Sequence, residues 1–194
     1  MIIYNTSDIV VIGTVESIYG VINYNGKEKT IKDGLVININ KARFSNGIIG
    51  KLKIDKVLKG TITDEGVIFI KSGDIISVKE YEEKYQENEK INTLVNKLTE
   101  QEKHNKYVMN LIEYDIPIEK GKMYLMYLKY DKELGGYSIM YFQYGLREID
   151  SQLLNSDIEK LTLDEYKSIK VKNNKTGELE KLEDIVAESV VKNI

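Results

Sequence analysis

His104, in "EQEKHNKY", is the only histidine of a 194-residue chain that holds no cysteine. Without cysteine there are no disulfides, thiolate zinc sites or cysteine nucleophiles. A histidine-based metal site or catalytic dyad would have to use His104. It sits among charged residues of a helical-pattern segment and reads as a solvated surface side chain. Two carboxylate pairs stand out, Glu113 with Asp115 and Asp164 with Glu165. A carboxylate-dependent hydrolase needs two acids about 5–10 Å apart across a cleft. Asp164 and Glu165 are better explained by the positive end of a helix start. Neither G-x-S-x-G, a P-loop nor G-x-G-x-x-G occurs. With one histidine, only an all-oxygen Ca²⁺ or Mg²⁺ site is chemically open, and no EF-hand spacing is present. The reading is therefore no catalytic residue, no metal ligand and no cofactor.

A basic run is the main charge feature. Between residues 35 and 60, Lys41, Arg43, Lys51, Lys53, Lys56 and Lys59 face one acid, Asp55. If Lys51 and Lys53 project from one face of a strand, a positive stripe follows. Single-strand nucleic-acid binders combine such a stripe with stacking aromatics. Tyr124, Tyr127, Tyr130, Tyr137, Tyr141 and Tyr144 could supply the stacking. The candidate anion- or partner-binding residues are Lys51, Lys53, Lys56, Tyr141 and Tyr144. The plainer alternative has lysines decorating solvent-facing strand positions and tyrosines filling core and rim. The net charge of −3 argues against a dedicated nucleic-acid binder and favours that alternative. An anionic polymer of a cell wall would be attracted to the same stripe.

Hydrophobic pattern assigns the elements that hold these residues. "SDIVVIGTVESI" (7–18) opens a long strand over 8–19, apolar on both faces and broken by Gly13. Asn25-Gly26 suits a hairpin turn within 20–34, and "LVININKARF" (35–44) alternates as a strand. "GIIGKLKIDKVLKG" (47–60) is a half-buried strand whose alternation breaks at Val57-Leu58, as a bulge would break it. Further strands fall at 66–73, 122–130 and 137–145, the last two joined around "DKELGG". Residues 79–108 are charged, free of Gly and Pro, and place Ile91, Leu94, Val95 and Leu98 on one helical face. A break near Asn88 is compatible with that pattern. Thr162 and Glu165 form a capping box, with Leu161 and Tyr166 as its staple. "NNKTG" (173–177) is a turn, and an amphipathic helix over 178–192 follows.

Strands gathered together, rather than alternating with helices, argue for a small barrel over a doubly wound sheet. Such a barrel would draw its core from Ile9, Val11, Val15, Leu52, Ile54, Val57, Ile68, Leu125 and Tyr127, with Gly13 letting the first strand bend. No run approaches the roughly 18 apolar residues of a membrane span. Lys, Ile, Asn and Tyr are abundant and alanine is scarce, a usage that suggests an AT-rich bacterial genome.

Three separated pieces, "SDIVVIGTV", "IDKVLKG" (54–60) and "EKGKMYLMYLKY" (119–130) followed by "YSIMYFQYG", resemble in their order a bacterial branch of the netrin-like family related to tissue inhibitors of metalloproteases. Those domains are OB-type β-barrels with a first strand like "aD-VV-GkV", a middle strand ending "V-KG" and a later "G-kYL-fL" hairpin ending "qG". The resemblance covers roughly residues 7–78 and 113–150. It implies an α+β, OB-like (netrin/TIMP-like) β-barrel domain over 1–150, a helical insertion at about 79–108 and a C-terminal helical appendage over 151–194 packed on the barrel. The zinc-binding N-terminal cysteine and the disulfides of the animal inhibitors have no counterpart here, so no functional residue carries over. What the resemblance implies is a non-enzymatic binding module of the bacterial cell envelope that contacts a protein or an anionic polymer. A single-strand nucleic-acid-binding OB protein and a carboxylate-dependent hydrolase are the alternatives. The expected location is extracytoplasmic or at the cell surface if an export signal was trimmed, and cytoplasmic otherwise.

Overall fold

The computed structural model of the chain describes residues 6–23, 46–62, 66–84, 89–110, 114–132, 134–140, 144–150 and 158–186. The Asn25-Gly26 turn, the strand at 35–44, Lys41, Arg43, Glu113, Tyr141 and the end of the 178–192 segment lie outside these residues. The described chain is mixed α+β, with one six-stranded sheet, two two-stranded sheets and short helices.

Strand β1 (Ile9–Asn23) organises the large sheet. It runs antiparallel to β2 (Asn46–Lys59) along its length, and over Ile9–Thr14 it also pairs antiparallel with β6 (Met123–Asp131). β2 continues to β3 (Gly66–Ser72), and β3 lies parallel to β7 (Gly136–Ile139). β6 takes β7 along its end and β8 (Leu146–Glu148) at Tyr124–Met126.

Alternation sorts β1 onto two apolar surfaces. Ile9, Val11 and Val15 join Leu52, Phe69, Tyr124, Met126 and Leu128 in a core-face cluster. Val10 and Ile12 face the opposite way and join Leu125 and Tyr127 under the C-terminal tail. Four consecutive β1 residues, Val10 to Ile12 with Ile9, are thus buried, each burial stabilising by about 1.5–3 kcal/mol. Leu125 and Tyr127, expected beside Ile9 and Val11, stand on the tail face. The register decides this: Val10 opposes Tyr127 and Ile12 opposes Leu125, while Val11 opposes Met126. Ile54 and Val57 are half-buried against the core-face cluster, and Ile68 is half-buried beside Ile49, Ile70 and Leu134.

The bulge expected at Val57-Leu58 is present. Val10 pairs with Lys59 and Val11 with Val57, leaving Leu58 as the extra residue. This sends Val57 to the core face and Leu58 to the tail face. A second irregularity leaves Asp55 extra between the Ile12–Lys56 and Gly13–Ile54 pairs. Gly13 is needed there because β2 comes so close. A Cβ at this position would lie 2.8 Å from the Lys53 carbonyl oxygen and 2.9 Å from Leu52 Cγ.

The segment between β3 and β6 departs from a single helix. It consists of β4 (Asp74–Ser77), α1 (Val78–Lys84), α2 (Glu89–Val95), α3 (Glu100–Asn105) and β5 (Tyr107–Asn110), with β4 and β5 paired. Local capping divides it. The Ser77 hydroxyl accepts from the Glu80 amide at the start of α1, and Thr99 forms a capping box with Glu102 that starts α3 anew. Val95 is buried and Leu98 packs beside it, but Leu94 is 65% exposed, so the expected four-residue stripe is not one buried face.

The tail is also less helical than its pattern suggests. Thr162 and Glu165 do form a capping box, and they start α4 (Leu163–Ser168). After it come β9 (Lys170–Lys172), β10 (Leu179–Lys181) and a single helical turn, α5 (Leu182–Ile185). The helix expected from 178 is therefore a strand at its start. The turn at 173–177, with Gly177 at φ 75°, reverses the chain so that Leu179–Lys181 pair with β9. Ile158, Tyr166, Ile169, Val171, Leu182 and Ile185 then cover Val10 and Ile12.

Gly13→Val should lower the melting temperature by on the order of 5 °C or more. An overpacked site costs about 1–3 kcal/mol, and in a chain of this length each kcal/mol shifts the midpoint by about 2–4 °C. Differential scanning calorimetry measures it, and an unchanged midpoint would refute the close approach.

Candidate binding surface

β2 presents Lys51 and Lys53 on one side, with buried Leu52 between them on the other. Each lysine has a carboxylate neighbour. Lys51 Nζ is 2.8 Å from Glu16 of β1, and Lys53 Nζ is 3.1 Å from Asp55. The hydrogen bond and charge of Glu16 hold the Lys51 ammonium above its usual range. Asp55 is more than a counter-charge. Its side chain is only 8% exposed, and its other oxygen accepts a 2.6 Å hydrogen bond from the Thr14 hydroxyl. The residue that bulges out of β2 thus ties itself to β1.

The rest of the sequence-level candidates disperse. Lys56 leaves the stripe for the tail, where its ammonium lies 4.9 Å from the centre of the Tyr166 ring. Lys59 donates to the Ser7 carbonyl at 2.7 Å. Tyr144 is exposed just before β8, on the β6 side of the sheet, with β1 between it and the lysines of β2. Tyr124 and Tyr127, read above as stacking candidates, are buried. Burial pushes the Tyr124 phenol up to about 12, and its oxygen accepts from the Glu119 amide while its proton goes to the Pro117 carbonyl.

Two features escape a stripe-based reading. At the β6–β7 turn, Tyr130 and Tyr137 meet edge to face with centroids 5.2 Å apart, Tyr130 being half exposed. The Tyr130 amide donates to the Asp8 carboxylate at 2.8 Å. The facing positions in "YLKYDKELGGYS" could have shown this pair, had the tyrosines been read by register. The other feature is a buried ion pair, Lys71 with Asp115, at 2.5 Å. Its signal was a lysine at a core-parity position of the apolar run "GVIFIKSG".

The other chemistry-bearing residues are in structural service. His104 is exposed. With the proton on Nδ1 it donates to the Glu100 carbonyl at 2.8 Å, and Nε2 accepts from Lys79 at 3.3 Å. Asp115 is held by Lys71, and Glu165 closes the α4 cap, whose hydrogen bonds from Thr162 hold its carboxyl below the usual range. Among the described residues no three His, Cys, Asp or Glu side chains are grouped as a metal site would require, and no helix is long and apolar enough to cross a membrane. The chain matches no family model, no curated protein and no solved structure.

Asp55→Ala should destabilise the protein by about 1–3 kcal/mol, because the Thr14 hydroxyl and Lys53 lose their acceptor in a half-buried setting. Glu16→Ala, at the exposed Lys51 pair, should leave the urea midpoint nearly unchanged. Equal midpoints for the two variants would show that Asp55 ties nothing.

Proposed function

We propose that the chain is a non-enzymatic binding module of the bacterial cell envelope, built on an OB-like, netrin/TIMP-like barrel, and that its partner is a protein. The barrel part is supported by the order of strand pairing. β1 pairs with β2, β2 with β3, β3 in parallel with β7, β7 with β6, and β6 again with β1. An OB fold is a five-stranded, partly open Greek-key barrel of this kind, and it binds through its second and third strands and adjacent loops. Envelope location rests on the sequence resemblance alone.

The observation that carries the choice of partner is the charge pairing of two of the β2 lysines, Lys51 and Lys53. Lys51 and Lys53 each have a carboxylate within 3.1 Å, and Lys56 and Lys59 are committed to a ring and a carbonyl. Polyanion affinity depends on lysines and arginines that are free to displace counterions from phosphates. A surface of alternating, locally paired charges suits a protein partner, where complementary polar groups give specificity. The second reading, a single-strand nucleic-acid binder, is favoured by one observation, the half-exposed Tyr130–Tyr137 pair beside the β6–β7 turn.

Two measurements test these readings. A strand paired on both edges protects consecutive amides, whereas an edge strand protects alternate ones. Hydrogen exchange should therefore find most consecutive amides of Ile9–Thr14 protected, and strict alternation would refute the barrel. For the partner, titration with a labelled oligo(dT) should show weak binding that disappears near physiological salt, where the Debye length is about 8 Å. Sub-micromolar binding at that salt, lost in Tyr130→Ala or Tyr144→Ala, would establish the nucleic-acid reading instead, because stacking contributes about 1–3 kcal/mol per base.

A further inference from the structure

Lys71 and Asp115 meet inside the core. Lys71 stands in β3 on the strand face that carries Val67 and Phe69 of the core-face cluster. Asp115 precedes Ile116 and Ile118, which pack on that same cluster. The two side chains are 2% and 1% exposed, and Lys71 Nζ lies 2.5 Å from Asp115 Oδ2.

The two oxygens of Asp115 are held differently. Oδ2 takes the Lys71 amine, while Oδ1 accepts from the Ile116 amide at 2.9 Å. The preceding residue, Tyr114, adopts φ 63°, a left-handed conformation that is strained for a bulky side chain. Backbone outliers of this kind cluster at functional sites. Charge is costly in such surroundings, and buried ionisable groups tend to neutralise. Burial pushes the Lys71 ammonium below its usual range against the opposing pull of Asp115. A proton that passes from Nζ to Oδ2 leaves a free amine against a carboxylic acid. The nucleophile then touches an oxygen bonded to Cγ, the carbon it would attack.

We propose that Lys71 and Asp115 condense to an intramolecular isopeptide bond, with the buried ion pair as its precursor. The Nζ–Cγ bond forms and the Cγ–Oδ2 bond breaks. Oδ2 leaves as water, with the proton it has received and one more from Nζ. Nothing is oxidised or reduced, and no co-reactant is needed. Oδ1 becomes the amide oxygen, and the Ile116 amide that already donates to it stabilises the charge it carries in the tetrahedral intermediate. Contact within the fold replaces a bimolecular encounter, and the closed apolar surroundings protect the product from hydrolysis. A buried ion pair is weak support for a fold; the bond puts a neutral amide in its place. It gives a chain without cysteine a covalent tie between β3 and the segment that leads into β6, across 44 positions. The tie does not depend on which partner the β2 surface binds.

The test is mass spectrometry of the denatured full chain, wild type beside Lys71→Arg and Asp115→Ala. Wild type should weigh one water less than its sequence. Both variants should show full sequence mass, because a guanidinium has no free amine to attack with and alanine offers no carboxyl. Trypsin cuts after Lys59, Lys79, Lys106 and Lys120. The bond therefore predicts a branched peptide that joins 60–79 to 107–120 and is uncut at Lys71. That peptide is read from wild type alone and needs no variant to fold. Full sequence mass in wild type would overturn the proposal. So would a water deficit that persists in the variants, or one that fragmentation places away from Lys71 and Asp115.

Discussion

Over Ile9–Ile12, strand β1 is bonded along both edges and buried on both faces, and the rest of the structure follows from satisfying it. Its edges demand two neighbours: β2 supplies one over the whole strand, and β6 the other over Ile9–Thr14. Its faces demand two apolar layers. One comes from the other strands of the sheet, through Leu52, Phe69, Met126 and Leu128. The other comes from the C-terminal tail, through Tyr166, Ile169, Val171, Leu182 and Ile185. A sheet with both faces covered reads as a near-continuous apolar run, and "IVVI" is that run. Truncating the tail would expose Val10, Ile12, Leu125 and Tyr127 at once, an apolar patch of the kind that drives aggregation.

The close approach that burial requires is paid for in glycine. Gly13 and Gly50 both lie where β1 and β2 press together, and a Cβ at Gly50 would run into the Ser17 carbonyl and lie 2.6 Å from the Phe69 ring. Along their length the two strands slip register four times. Two of these slips let an extra residue on β2, Asp55 or Leu58, change the face to which its successors point. The Thr14–Asp55 hydrogen bond pins one such slip from the side. Twist and bulge together therefore explain why Val57 and Leu58, adjacent in sequence, serve two different cores.

Strand existence was legible because it depends on local alternation: β1, β2, β3 and β6 lie where apolar residues predict them. Face assignment was not, because it depends on the partner strand. Nothing within "KMYLMYLKY" states that Tyr124 faces Phe69 while Tyr127 faces Tyr166; the register with Val10 and Ile12 decides it. The capping boxes at Thr162 and Thr99 share one sequence spacing, but the one at Thr99 lies inside a segment whose helical pattern hides it. In the tail, the 3.6-residue periodicity of Leu179, Leu182 and Ile185 was real, but pairing with β9 claimed the backbone of Leu179–Lys181 first. For the candidate surface, sequence found the lysines but not their carboxylates. Glu16 lies 35 positions from Lys51 in the chain and meets it only across the β1–β2 ladder.

A chain without cysteine must fix its long-range geometry by other means, and here polar side chains do it. Asp8 accepts from the Tyr130 amide across a separation of 122 residues, and Lys71 meets Asp115 across 44. Asn174 donates to the Leu146 carbonyl, and Arg147 pairs with Glu180, whose carboxyl is held below its usual range first by Asn173 and then by Arg147. A typical hydrogen bond of this sort contributes about 0.5–1.5 kcal/mol, against about 2–4 kcal/mol for a disulfide. Several are needed where one bridge would serve, and they sit where a segment returns to the sheet: the start of β1, the junction before β6, and the β9–β10 turn. The difference is qualitative as well. A disulfide acts chiefly by restricting the unfolded chain, whereas these ties act only in the folded state and can be broken one at a time. A fold held this way can release one segment without unfolding the others.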